Sequence, residues 1–112
     1  MHEMALTCSI VEMAEEAAAG ARVARVTLVI GKLSGAMTDA IRFCFDEVAR
    51  GTAVEGAVLE IIEPDGRARC DRCGAEFATP ELWTGCDCGS FSLTRLQGDE
   101  LELKSIELEE AA

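Results

Sequence analysis

The spacing of hydrophobic positions changes its period several times along the chain. From Leu6 to Ala19, the apolar residues Leu6, Ile10, Met13, Ala14 and Ala17 recur at helical intervals. Glu12, Glu15 and Glu16 are left toward water and Gly20 follows as a stop signal, so the segment predicts a helix. Between Arg22 and Ile30 the period drops to two, with Val26, Leu28 and Ile30 alternating with Arg25, Thr27 and Val29, which predicts a strand. Gly31 to Gly35 reads as a turn, and a second helix follows with Met37, Ile41, Phe45 and Val48 on one face. Residues 57–62 predict another strand, closed by Pro64-Asp65-Gly66. Leu101–Leu108, with its interspersed glutamates, predicts a last one. Residues 67–97 hold four of the six cysteines and no long periodic stretch.

The order is therefore helix, strand, helix, strand, cysteine-rich segment, strand. Two helices over a mainly antiparallel three-stranded sheet would bury all of these faces in two layers, an α+β fold. The closing strand is expected to return to that sheet. The cysteine-rich segment then becomes a zinc-ribbon-like insertion, dividing the chain into a domain of residues 1–66 with 98–112 and a second of residues 67–97.

Within the insertion, Cys70-Asp-Arg-Cys73 is followed by twelve residues and then Cys86-Asp-Cys88. Each close pair can present two sulfurs to one ion, and a hairpin between them would bring the pairs together. Four thiolates around a tetrahedral centre is the arrangement structural zinc prefers, and it leaves no open position for catalysis. About thirty residues cannot bury an adequate core alone, so a staple is physically required. Tetrathiolate iron, a redox Cys-x-x-Cys pair and disulfides are the alternatives, the last disfavoured in a reducing compartment. The second arm is one residue tighter than the first, which makes Cys86 the ligand with the most demanding geometry and Asp87 a minor substitute. Cys8 and Cys44 lie in the predicted helices and read as small buried hydrophobes. Trp83 and Phe77, between the cysteine pairs, are expected to pack the hairpin.

Length and charge narrow the picture further. A chain of 112 residues is one domain, or one domain with a small appendage. Ten Lys/Arg against 21 Asp/Glu leave a net charge of −11. Nucleic-acid affinity depends on neutralising phosphates, so DNA or RNA binding is disfavoured. No apolar run approaches the roughly 18 residues that span a bilayer, and the opening lacks the basic flank of a signal peptide. The sequence reads as soluble and cytoplasmic.

The one histidine of the chain is residue 2, which excludes every site built on several imidazoles. With no Tyr and no nucleophile motif, a hydrolytic enzyme has little support. A bulky second residue generally blocks removal of the initiator methionine, so Met1 is expected to keep its free α-amine. That amine, the His2 amide and imidazole, and the Glu3 amide can close small chelate rings around one ion. Four nitrogens in a plane suit Ni(II) or Cu(II) better than Zn(II). The plain alternative is a solvated histidine at a frayed end.

Several stretches occur together and in order: Met1-His2-Glu3-Met4, Ile30-Gly31-Lys32-Leu33-Ser34-Gly35, Gly51-Thr52, the four cysteines, Cys88-Gly89-Ser90, Gly98-Asp99-Glu100-Leu101 and Ile106-Glu107. In this combination the chain resembles the HypA/HybF family of hydrogenase nickel-incorporation accessory proteins over nearly its whole length. The resemblance implies a non-enzymatic nickel metallochaperone serving [NiFe]-hydrogenase maturation, and in some organisms urease. It implies nickel at Met1, His2 and Glu3, and structural zinc at Cys70, Cys73, Cys86 and Cys88. The implied partners are a HypB-type GTPase and the hydrogenase large-subunit precursor, with a homodimer compatible and no nucleic acid or membrane. Glu3 or Asp39 could bring a carboxylate toward nickel, although Asp39 does not align cleanly with the family's acidic position. From another class, a zinc-ribbon interaction module would explain the cysteines and acidity but leave His2 to chance. A rubredoxin-like electron carrier is a third reading.

Overall fold

The computed structural model describes residues 2–110. Its elements run α1 (Glu3–Ala18), β1 (Val23–Ile30), α2 (Thr38–Ala49), β2 (Val58–Ile62), β3 (Arg67–Cys70), β4 (Glu76–Ala78), β5 (Leu93–Gln97) and β6 (Leu101–Leu108). They form two compact units. One comprises the chain up to Val29, Met37–Ile62 and the chain from Glu102; the other comprises Ile30–Ala36 and Glu63–Leu101.

In the first unit the two helices and a three-stranded sheet enclose the core, as an α+β fold requires. α1 buries Thr7, Ile10, Val11, Ala14 and Ala18. That stripe is rotated from the predicted one, and Met13 is 49% exposed. The reason is Thr7: its hydroxyl donates to the Glu3 carbonyl at 2.6 Å, so a polar residue can lie on the core face at no hydrogen-bond cost. Small side chains at Ala14 and Ala18 continue the same stripe. On α2 the buried residues are Ile41, Phe45 and Ala49, while Met37 precedes the helix as its N-cap and is 64% exposed.

The sheet has the order β2-β1-β6. β1 pairs with β2 in parallel, from Arg25 opposite Val58 to Val29 opposite Ile62. The helical crossover through α2 brings the chain back in the same direction, which is how parallel neighbours must be connected. On the other side, Arg22 accepts from the Glu109 amide and Glu100 from the Gly31 amide. Rising numbers in β1 thus meet falling numbers in β6, so this pair is antiparallel. The sheet is therefore mixed, with one parallel and one antiparallel pair. In central β1 the Val26, Leu28 and Ile30 phase is sealed, and the opposite phase carries Arg25. Its guanidinium reaches Glu60 at 3.3 Å on one flanking strand and Glu107 at 3.5 Å on the other.

The second unit contains a three-stranded antiparallel sheet, β4-β3-β5. Its strands span three to five residues, too short for a period to declare itself in the sequence. In β3, Arg67 and Arg69 face water while Ala68 and Cys70 face inward. The loop after β1 belongs to this unit. Its Gly31, Lys32 and Leu33 amides donate to the carbonyls of Glu100 (2.9 Å), Pro64 (3.0 Å) and Gly98 (2.7 Å). Phe77 is half-buried opposite Ala68, but Trp83 is 76% exposed and does not fill the hairpin as expected. Polar links close this unit instead: Arg95 donates to the hydroxyl of buried Thr79, whose amide donates to the Gly66 carbonyl. Among the described residues, no helix is long and apolar enough to cross a membrane.

Candidate metal centre

Cys70 closes β3, Cys73 lies in the turn that follows, and Cys86 and Cys88 lie in the loop ahead of β5. The four sulfurs lie within 4.8 Å of one another. Cys70 Sγ is 3.7 Å from Cys88 Sγ, and Cys73 Sγ is 3.5 Å from Cys86 Sγ. A disulfide would need about 2.05 Å. A tetrahedron with Zn–S bonds of roughly 2.3 Å has edges of about 3.8 Å. The arrangement is therefore a metal-sized cage of free thiols, and the donor set fits a closed tetrathiolate site.

The two arms are built alike. In the first, the Cys70 amide donates to the Ala75 carbonyl (2.8 Å) and the Gly74 amide returns a bond to the Cys70 carbonyl (2.9 Å). In the second, the Cys86 amide donates to Ser90 and the Gly89 amide to Cys86, both at 2.9 Å. The missing residue of the second arm is thus absorbed inside the loop, and its closing bonds survive. Gly74 and Gly89 each follow the second cysteine of their arm at φ +80° and +94°, a region that favours glycine. Asp87 does not join the cluster; all four cysteines do.

Electrostatics explain why such a cage wants a cation. The Cys73 amide donates to Cys70 Sγ at 3.4 Å, and this bond brings the Cys70 thiol down to about 6. For Cys86 the Cys88 amide pulls the same way, but burial and the neighbouring thiols outweigh it and push the group up to about 12. Four thiolates at these separations repel one another, and only a bound metal ion allows them all to ionise. Asp71, inside the first arm, was not singled out by the sequence. Its carboxylate accepts from Thr94 (2.5 Å) and Ser92 (3.2 Å), tying the first arm to β5. Cys8 and Cys44 are half-buried on α1 and α2 and stand apart from the cluster.

Of the nickel residues expected at the chain start, Met1 lies outside the described residues. His2 is exposed, in extended backbone (φ −86°, ψ 92°), immediately ahead of α1. The first helical bond runs from the Leu6 amide to the His2 carbonyl at 3.0 Å, so the Glu3 amide precedes the intrahelical ladder. The Glu3 carboxylate accepts from the Met37 amide at 3.0 Å, and that bond lowers its pKa. Asp39 is exposed in the first turn of α2.

Comparison with known proteins follows the whole chain rather than the cysteines alone. A family model described as "Hydrogenase/urease nickel incorporation, metallochaperone, hypA" matches residues 1–108. A hydrogenase maturation factor HypA from Trichormus variabilis is 53% identical over 110 residues, covering 98% of this chain and 97% of that protein. One from Geobacter metallireducens is 46% identical, covering 97% and 100%. The solution structure of the nickel metallochaperone HypA from Helicobacter pylori superposes with a TM-score of 0.68 at 28% identity, over 96% of this chain and 97% of that one.

Proposed function

The chain belongs to the HypA family of hydrogenase/urease nickel-incorporation metallochaperones, and on that premise we propose that it carries Ni(II) at its first residues and hands it on during maturation of [NiFe]-hydrogenase. The Met1 amine, the His2 amide and imidazole, and the Glu3 amide supply four nitrogens, a donor set that suits a square-planar ion. One observation carries this reading. α1 starts at Glu3, so the amides of residues 2 and 3 are not committed to the helix, and the His2 imidazole is exposed beside them. A seat built on a chain end is accessible to a recipient and can release its ion when the amine or imidazole takes up a proton.

Zinc is the second metal of this proposal. Cys70, Cys73, Cys86 and Cys88 would hold it, and a closed tetrathiolate would brace the second unit without chemistry of its own. On this proposal nickel belongs to the part formed by residues 1–66 with 98–112 and zinc to residues 67–97, although the compact unit around the cysteines also takes in Ile30–Ala36, Glu63–Gly66 and Gly98–Leu101. The work is that of a carrier rather than an enzyme. It takes place in the cytoplasm, beside a HypB-type GTPase and the hydrogenase large-subunit precursor, with a homodimer as a compatible assembly.

The test is nickel titration of the native protein, a His2→Ala variant and a form with an uncleaved N-terminal extension. The native chain should bind one Ni(II), and both altered forms should lose that binding. Retained stoichiometric affinity in both would reject the terminal seat. Equilibrium dialysis that finds tightly held zinc and no labile nickel in the native chain would favour a zinc-ribbon docking module instead.

A further inference from the structure

The first turn of α1 is secured at two points, both on Glu3. Its carboxylate Oε2 accepts the Met37 amide at 3.0 Å, and Met37 is the N-cap of α2, with no side-chain cap of its own. Its carbonyl accepts the Thr7 hydroxyl at 2.6 Å, and Thr7 is fully buried on the core face of α1. The residue whose amide the nickel seat requires is thus fixed through its side chain to the start of α2 and through its carbonyl to the core. Helix ends otherwise fray, and a frayed first turn would have to be ordered each time the ion binds.

We infer that the Glu3 carboxylate is a positioning residue, holding the His2–Glu3 backbone against the start of α2 rather than donating to nickel. The inference rests on the terminal seat proposed above. In that seat four nitrogens complete the plane, so the side-chain oxygen has no in-plane position to fill. Its contribution is to pre-order the backbone that supplies the third chelate ring, a means of raising affinity without adding a ligand.

Three variants separate positioning from ligation. Glu3→Gln keeps an acceptor oxygen at the same reach without the charge. Glu3→Asp keeps the charge but is one methylene too short, and Glu3→Ala removes both. With Ni(II) as the probe, Glu3→Ala and Glu3→Asp should bind about five- to tenfold more weakly, and Glu3→Gln should recover affinity to within about twofold of native. All three should keep the native visible absorption of the nickel complex, because the nitrogen donors are unchanged. Hydrogen exchange of the Met37 amide in the metal-free protein should accelerate in the Ala and Asp variants and stay slow in the Gln variant.

An altered nickel spectrum in Glu3→Ala would overturn the inference by making the carboxylate a donor. So would a Glu3→Asp variant that binds like native while Glu3→Gln does not, because charge would then matter and reach would not. If His2→Ala and the N-terminal extension kept nickel, the terminal seat itself would fall. That result is distinct from one in which those forms lose nickel and only the Glu3 series departs from expectation.

Discussion

Replacing Gly31 by alanine isolates one close approach on which the second unit depends. A Cβ built on Gly31 would lie 2.1 Å from the Gly98 carbonyl oxygen, 2.2 Å from the Gly98 carbonyl carbon and 2.6 Å from Glu100 Oε1. Two of these atoms are backbone and cannot rotate away. The loop must therefore retreat by more than 1 Å, on the order of the gap to a normal contact. Retreat breaks the Leu33–Gly98 and Gly31–Glu100 amide bonds of 2.7 and 2.9 Å. Overpacking costs roughly 1–3 kcal/mol, and each lost bond about 1 kcal/mol. A Gly→Ala change gains back up to about 1 kcal/mol by restricting the unfolded chain. The expected net loss is about 2–4 kcal/mol, read by urea unfolding followed by far-UV circular dichroism, with exchange of the Leu33 amide as the local report. Gly20→Ala is the control: nothing lies within 4 Å of its added Cβ, so only the backbone strain of φ +93° remains. That strain should cost about 1 kcal/mol. A Gly31→Ala protein as stable as native, or more stable, would refute the argument, because alanine would then meet open space.

Other outcomes follow from the same packing. Phe45 is 2% exposed in the helical core. Its change to Ala should cost about 3–5 kcal/mol in thermal unfolding of the helical signal, and a loss under 1 kcal/mol would show that the site collapses freely. If zinc fills the four-thiol cage as proposed, chelating it should abolish slow amide exchange in β4-β3-β5, and unchanged protection there would count against a bracing role. Zinc affinity should fall as pH falls, because each ligand must bind metal as a thiolate and protons compete for it. In the metal-free cluster the Cys73 amide draws the Cys70 thiol down to about 6, while burial and the neighbouring thiols push Cys86 up to about 12, so the cluster holds fewer protons than four ordinary thiols would at neutral pH. Calorimetry in buffers of different ionisation enthalpy should therefore count fewer than four protons released per zinc, and a count of four would contradict the lowered Cys70 value.

The long elements are legible in the sequence alone. The two helices follow from apolar periodicity, because each lies between core and water and must sort its residues accordingly. The strand at residues 22–30 shows its period although β1 is buried on both phases over Val26–Ile30, and in the closing strand only Leu103 and Ile106 are half-buried. The details that escaped are those in which a partner outside the element changes the rule. Thr7 takes a core position because the Glu3 carbonyl meets its hydroxyl. Met13 lies outside the buried stripe that Thr7 helps define. Trp83 stays in water, and polar pairs such as Arg95 with Thr79 link the unit instead. The short strands β3, β4 and β5 offered no period to read. The cysteine pairs were legible as a candidate ligand set, and the shortened second arm keeps its closing backbone bonds from Cys86 to Ser90 and from Gly89 to Cys86.

The sequence by itself determined which candidate ligands lie close together along the chain, because ligand type and spacing are local: four thiols in two close pairs, and one imidazole at residue 2. It also determined the α+β class, through the alternation of periods. Only the tertiary structure decided the rest. It brought sulfurs eighteen residues apart to 3.7 Å. It paired β1 with β2 in parallel through a crossover, and laid Gly31 against Gly98. It also tied Glu3 to the amide of Met37, 34 residues away. Each depends on where distant backbone runs, and a one-dimensional pattern reports the faces a segment must bury but not the atoms it will meet there.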